Sequence, residues 1–484
     1  MLGHFVKRRH QNVNTFCTPK PSEIDRPNHV DRESYDIVGP DAGRLGPSST
    51  ERLTINFRRF PRLPVCVTWG LRPLEKRSGS PDLDCNRQRK LRLAPRVGAL
   101  GLAISLYLLR LNRASAEDHV DYRFESYQED NGRIGVDTHS WLFEKKVTSW
   151  LTLRGDAVWD AIAGATPIGA PPASEIKNPF PPPGPYNTTV PLAYMKDTRW
   201  AGSLDAAMTF GPHHITPQFA YSSEHDYISY GGALNYSLDL NQKNTTLNLG
   251  WAHDWDTVVS GTYLTEAQPK DTDHFLIGIN QLLGPKTVMT VNFSFRNSRG
   301  YLNDPYRGVL FEDYPQFDLN TPILFPENRP THRMSYLGFA SLTQFITPLR
   351  ASVEGSYRFS YDTYNIYAHT VDVSWHQKIT QRVLLSPFFR YYYQTAASFY
   401  GTQFPGDPSN PFDPTPIPTY YSADYRLSKM ETFSVGVDLS AKLTDWLSLN
   451  ASYMRYGMYG LNNLTSSSAY PKANVVTIGA SLWF

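Results

Sequence analysis

The sequence predicts an all-β fold: a transmembrane, antiparallel, up-and-down β-barrel of about 16 strands (14–18), preceded by a signal peptide. Three observations predict it. Apolar and polar residues alternate with a period of two over segments of 9–12 residues. The connections between those segments are alternately short and long. The chain is rich in aromatic residues, at 13% of 484 with 30 Tyr, yet its mean hydropathy is only −0.42. That hydropathy excludes a bundle of apolar helices, whose spans need about 20 consecutive apolar residues. A charged fraction of 19% excludes a disordered polyelectrolyte, and three cysteines cannot build a disulfide framework.

The first element is an extension that does not belong to the barrel. The formal net charge of +2 conceals two unlike pieces. Residues 1–116 hold 21 Lys and Arg against 10 Asp and Glu, whereas the remaining 368 hold 26 against 35. Cys17, Cys66 and Cys85 all lie in the first piece. Residues 1–90 are rich in Arg and Pro, have no sustained period, and read as a mis-assigned start or a disordered extension. An acidic body leaves no basic face for phosphate, so no nucleic-acid partner is expected.

The second element, 91–116, has the layout of a signal peptide. A basic run (Arg87, Arg89, Lys90, Arg92, Arg96) precedes an apolar run from Val97 to Leu109, and Ala114-Ser115-Ala116 supplies small residues for cleavage. Arg110 and Arg113 between the apolar run and that site are unusual. The mature chain, 117–484, is then expected in the bacterial outer membrane, and its freedom from cysteine suits an extracytoplasmic protein.

Within 117–484 the alternation predicts strands near 119–127, 133–144, 148–160, 198–210, 214–226, 229–241, 245–256, 271–283, 287–299, 333–346, 350–363, 367–379, 382–396, 429–443, 446–458 and 474–484. The last shows the pattern plainly: Val476, Ile478, Ala480, Leu482 and Phe484 share one face, Thr477, Gly479, Ser481 and Trp483 the other. Soluble strands average about five or six residues, while a tilted bilayer span takes about 9–11. Short connections such as Gly211-Pro212-His213 and Gly284-Pro285-Lys286 alternate with the long stretches 163–197, 259–270, 301–332, 401–428 and 459–472, the asymmetry of an outer-membrane barrel. An even strand number puts both ends of the barrel on the periplasmic side.

Closure follows from backbone chemistry. Each unpaired N–H or C=O in lipid costs several kcal/mol, so an open sheet edge is excluded. Aromatics at segment ends (Trp200, Phe210, Trp375, Tyr391, Trp446, Trp483, Phe484) are expected to form interfacial girdles against the outer-membrane lipid. Phe484, ending an alternating strand, resembles the C-terminal signature read by the bacterial barrel-assembly machinery, which is therefore an expected partner.

Four strings, GDAVWDAIAGATP (155–167), YSSEHDYISYGGAL (221–234), HDWD (253–256) and NSRGYLNDPYRGVL (297–310), carry a resemblance. Through them the region 120–484 resembles an uncharacterised bacterial outer-membrane family, a domain of unknown function whose members tend to be encoded beside thioredoxin-like proteins and FMN transferases. The resemblance implies a barrel, its location and a periplasmic redox- or flavin-linked partner, but no reaction.

Two sets of residues are candidates for function. Inward positions mix acids (Asp205, Asp239, Glu354, Asp372, Asp438) with bases (Arg296, Arg358), which across a narrow pore would sort small polar solutes or would merely pair with one another. At the external rim, Asp156, Asp160, Glu224, Asp226, His253, Asp254 and Asp256, with Asp271, Asp273 and His274, could hold a divalent cation or simply form a solvated polar rim. No cofactor is expected. Nor is an enzyme: G-x-S-x-G is absent, and His369 and His376 belong to no triad readable from order. The function expected is a channel or transporter for small polar solutes. The alternatives are a non-conducting barrel that docks a periplasmic or surface partner, and an outer-membrane enzyme. The long loops 163–197 and 401–428 can fold inward as constrictions, PPPGP (181–185) favours a stiff tether, and Tyr301–Arg307 opens a loop that reads as a simple turn or, on the resemblance alone, as a lid or partner-docking element.

Overall fold

The computed structural model describes residues 118–177 and 186–484. The N-terminal extension, the signal-peptide segment and the proline run 181–185 lie outside the described residues. In chain order the strands are β1 (His119–Glu129), β2 (Gly135–Lys146), β3 (Leu151–Pro167), β4 (Leu192–Phe210), β5 (His213–Ser223), β6 (Tyr227–Leu240), β7 (Thr245–Val258), β8 (Gln268–Gly284), β9 (Thr287–Gly300), β10 (Gly308–Phe311), β11 (Phe325–Pro326), β12 (His332–Ile346), β13 (Ala351–Asp362), β14 (Tyr367–Lys378), β15 (Val383–Gln394), β16 (Gln403–Phe404), β17 (Met430–Lys442), β18 (Leu447–Gly460) and β19 (Lys472–Trp483).

Sixteen of them form one closed antiparallel ring in which each strand pairs with its barrel neighbours in the chain and β1 closes against β19. The closing register sets Glu125 opposite Thr477 and Val120 opposite Leu482. All sixteen expected strands are present, with ends displaced by a few residues. The exceptions are β3 and β4, which pair to Pro167 and Leu192 and reach 17 and 19 residues. Residues 161–167 are small and lack alternation, so their pairing carries no periodic signal. The remaining strands, β11-β10-β16, form a small sheet in the loops, with β10 and β16 parallel.

The pleat decides which side chains meet lipid. Leu234, Leu249, Ile277, Phe293, Val435 and Ile478 all point away from the ring and are exposed, a disposition no water-soluble fold would tolerate over so many strands. Rings stack side by side around the outer wall: Phe275 on Phe295, Phe295 on Tyr336, Tyr336 on Tyr361 and Tyr361 on Tyr367 toward the long loops. Trp150 with Phe210 marks the other end, whereas Trp483, stacked on His119, takes the inward parity of its strand and does not join the expected lipid-facing girdle. An apolar outer wall between aromatic bands on a closed ring is that of an outer-membrane barrel, with β1 starting and β19 ending at the short-turn end.

Candidate functional site: the capped mouth and the polar inner wall

Three long loops meet over the mouth at the end away from the termini. They are 168–191, 301–331 and 395–429, rooted between β3 and β4, β9 and β12, and β15 and β17. Around the ring these roots are separated by six, four and six strands. Loops so far apart on the rim can touch only by crossing the opening. They touch extensively. Gly308 N–H donates to Ile168 O (2.9 Å), Lys177 N–H to Gln403 Oε1 (2.7 Å), and Gln403 Nε2 to Glu175 O (2.9 Å). Asn328 and Tyr421 exchange backbone bonds of 3.0 and 2.9 Å. The shorter loop 461–471 joins them: Val190 N–H donates to Ser468 Oγ (3.0 Å), and Arg133 donates to the carbonyls of Ser468 and Ala469.

The cap has its own apolar core. Val309 and Phe311 of β10 pack with Phe404 and Ala423, and Leu310 on the opposite face packs with Ala173, Ile176 and Leu319. The approach at Gly169 is close. It adopts φ +105°, and a Cβ there would lie 2.1 Å from the Gly308 carbonyl oxygen, so only glycine fits. Only a small cleft remains between the loops, bounded by Pro167, Ala170, Val190, Ala423, Tyr425 and Thr465.

Beside this core lies a buried ionic latch of three acids and three arginines. Arg329 reaches Glu327 Oε1 (2.7 Å) and Asp424 Oδ2 (2.8 Å), with both partners 1% exposed. Arg426 grips Asp424 through Nε (2.8 Å to Oδ1) and also donates to Asp304 from the neighbouring loop. Arg307 lies 3.6 Å from Asp304 and over the Tyr425 ring, and donates to Thr166 Oγ1 at the top of β3 (2.9 Å). Ser422 Oγ and Asp304 N–H each donate to Glu327 at 2.5 Å. Burial would raise Asp424 and Asp304, but the guanidiniums outweigh it and hold both below the usual carboxylate range: Arg426 and Arg329 for Asp424, Arg426 and Arg307 for Asp304. For Glu327 burial wins over Arg329, and its carboxyl is pushed up to about 7.

The candidate residues fall as follows. By strand alternation and register, Asp205, Asp239, Arg296, Glu354, Arg358, Asp372 and Asp438 all point to the inner side. Asp205 lies 3.4 Å from Arg154, Asp239 accepts from Thr246 (2.8 Å) and sits 3.1 Å from His214, and Arg358 lies over the Phe339 ring. Asp372 accepts from Arg390 and from Ser356 (3.2 Å), and Arg296 faces Ser335. Glu354 stands opposite Ser374, and Asp438 opposite Ser386 and Ser452.

The rim candidates do not gather into one site. Asp156 accepts from Ser203, Asp160 is ion-paired with Arg199, and Asp256 accepts from Tyr227 (3.0 Å) and Ser229. Asp254 faces inward beside His274 (3.1 Å), whereas His253 faces outward, against Trp255 and 2.8 Å from Asp273. Neighbours on a strand point to opposite faces, so the HDWD run cannot converge on one ion. Among the described residues only Glu224 and Asp226, with Asp197, bring ligand oxygens within 4.8 Å of one another, and Tyr306 donates to Asp226 (2.6 Å). Asp197 lies on the part of β4 that the sequence reading assigns to a loop. Of the latch, only Asp304 and Arg307 fall within a string singled out in the sequence. Glu327, Arg329, Asp424 and Arg426 do not. Charged residues inside an otherwise apolar loop stretch are the one signal that pointed to them. His369 faces out and His376 faces in, so the two share no site.

Comparison with known proteins places the chain. Solved structures similar to it include the siderophore receptor PirA from Acinetobacter baumannii (11% identity, TM-score 0.36, covering 72% of this chain and 54% of that one). A bacterial polysaccharide outer-membrane secretin also matches (7%, 0.39, 77% and 100%), as does outer-membrane OmpT of Vibrio cholerae (10%, 0.31, 77% and 99%). The chain thus spans about half the length of the siderophore receptor it matches. No curated protein matches it. The family described as protein of unknown function (DUF3570) matches residues 103–267 and 259–474, more than half of the chain, and this outer-membrane β-barrel belongs to that family.

Proposed function

We propose that the protein is a channel for small polar solutes whose outer mouth is narrowed by the loop cap. The observation that supports this best is the contrast between the two walls. The outer wall is apolar, while the inner positions carry ion pairs and hydroxyl–carboxylate contacts such as Arg154–Asp205 and Thr246–Asp239. A side chain aimed at a dry interior would not need that chemistry. Rings of sixteen strands are also wide enough to enclose water. The cap, crossing from three sides, limits what enters.

Planar-bilayer recording tests the proposal. Purified protein should give ohmic steps, and releasing the cap with Arg329→Ala should enlarge them or make them more frequent. No current from either form would refute a channel. A second reading, a barrel that docks a surface partner, draws on Phe412 and Phe317, which stand 89% and 71% exposed on the cap loops. Retention of a specific partner by the silent barrel, lost on replacing both with Ser, would favour it.

A further inference from the structure

Resting on the channel reading, we infer that the inner wall is electrically polarised across its width and that the solutes it passes are small cations. The ring divides into two contiguous halves of eight strands, β1–β8 and β9–β19. Strand parity, fixed by the pairing registers, assigns every charged side chain to one face. On the inner face of β1–β8 there are eleven carboxylates and five Lys or Arg. On the inner face of the other half there are four carboxylates and six Lys or Arg. One half-wall thus carries an excess of six negative charges, and the facing half an excess of two positive charges.

The excess does not depend on how the groups pair locally, because an ion pair cancels one charge of each sign and leaves the surplus. The chemistry around two of the acids shows how surplus charge is tolerated. Asp256 is held by the hydroxyls of Tyr227 and Ser229, with Lys270 at 3.9 Å, and Asp239 by the Thr246 hydroxyl, with His214 at 3.1 Å and Lys243 at 3.9 Å. Hydroxyl donors satisfy a carboxylate without neutralising it. The surplus also starts at the mouth, where Asp197, Glu224 and Asp226 converge on the same half of the ring. Between low-dielectric walls such a distribution concentrates counter-ions, and the net surplus on the whole inner face is negative, so cations are drawn in and anions repelled. The opposed halves also orient a molecule with its positive end toward β1–β8.

Reversal potential in planar bilayers tests this, with a tenfold KCl gradient as the probe. A one-sign cleft raises local counter-ion concentration by about tenfold or more. The K⁺ to Cl⁻ permeability ratio should therefore exceed about five. The triple substitution Asp205→Asn, Asp239→Asn and Asp256→Asn should lower it at least about twofold, and Arg296→Gln should raise it. Heat-modifiable migration confirms that each variant is folded, and the single Asn variants replace any triple that is not. Current with no preference, or with preference for chloride, would overturn the inference and leave the channel intact. A ratio unmoved by the substitutions would overturn the assignment to this wall. Silence from both wild type and Arg329→Ala would overturn the channel reading and this inference with it.

Discussion

Replacing Arg329 by Ala should unlock the cap while leaving the barrel whole. Arg329 is 1% exposed and is the only guanidinium bound to both Glu327 and Asp424 in the described contacts. Removing one partner of a buried ion pair costs about 3–5 kcal/mol, because the charge left behind has no water to turn to. Two compensations bring the figure toward the lower end: Asp424 keeps Arg426, and Glu327 can take up a proton. At about 1.4 kcal/mol per factor of ten, a loss of about 3 kcal/mol raises the fraction of open caps roughly a hundredfold. Hydrogen exchange read by mass spectrometry is the assay. Amides of Val309–Phe311 and 421–427 should lose about two decades of protection, while those of β7 and β8 keep theirs. The reasoning fails if protection in the cap is unchanged, or if it is lost equally from the barrel strands.

Four further outcomes are expected. Glu327 has its carboxyl raised to about 7 in the closed cap, above the ordinary 4.5 of the opened one, so the closed state binds the extra proton. Glu327 makes cap stability fall by up to about 3 kcal/mol as pH rises from about 4.5 to about 7 and level off above, while the depressed Asp304 and Asp424 remove stability below about pH 4, so the cap is most stable near pH 4.5. Exchange protection followed from pH 5 to 8 checks this, and Glu327→Gln should flatten the profile. Gly169→Ala drives a methyl into the Gly308 carbonyl at a φ hostile to side chains, and should cost the cap about 2–4 kcal/mol, seen as faster proteolysis of 301–331 with unaltered heat-modifiable migration. Ile277→Arg, on the lipid face, should destabilise the barrel by about 2–4 kcal/mol in a urea titration in lipid; no effect would show that Ile277 does not face hydrocarbon. Deleting Phe484, whose N–H donates to Asp118 O (3.0 Å), should cut the folded outer-membrane yield several-fold in cells but not refolding in detergent, which separates recognition by assembly machinery from stability.

Much of the ring was legible because a membrane barrel writes its geometry into the chain. Each strand must offer apolar groups to lipid at every second position, so Phe433-Val435-Val437-Leu439 could be read without knowing its neighbours. The upper ends of β3 and β4 were not legible, since Ala161-Ile162-Ala163-Gly164-Ala165 has no contrast between its faces. The cap was illegible for another reason. GVLF at β10 is buried on every side and so shows no alternation, and its parallel partner Phe404 lies far along the chain. The latch joins Asp304 to Arg426 across more than a hundred residues, a contact that only tertiary closure creates. At the rim the sequence grouped residues by nearness in the chain, and the pleat then sent His253 and Asp254 to opposite sides.

The cap's dependence on distant roots has a consequence for biogenesis. Ser468 and Ala469 lie in the last connection before β19, and they are tied both to Val190 of the cap and to Arg133, just past β1. The contact bridges the seam between first and last strands, so lid and seam support one another. A chain whose last hairpin is unpaired therefore lacks one of the cap's attachments and leaves the lid tethered on fewer sides.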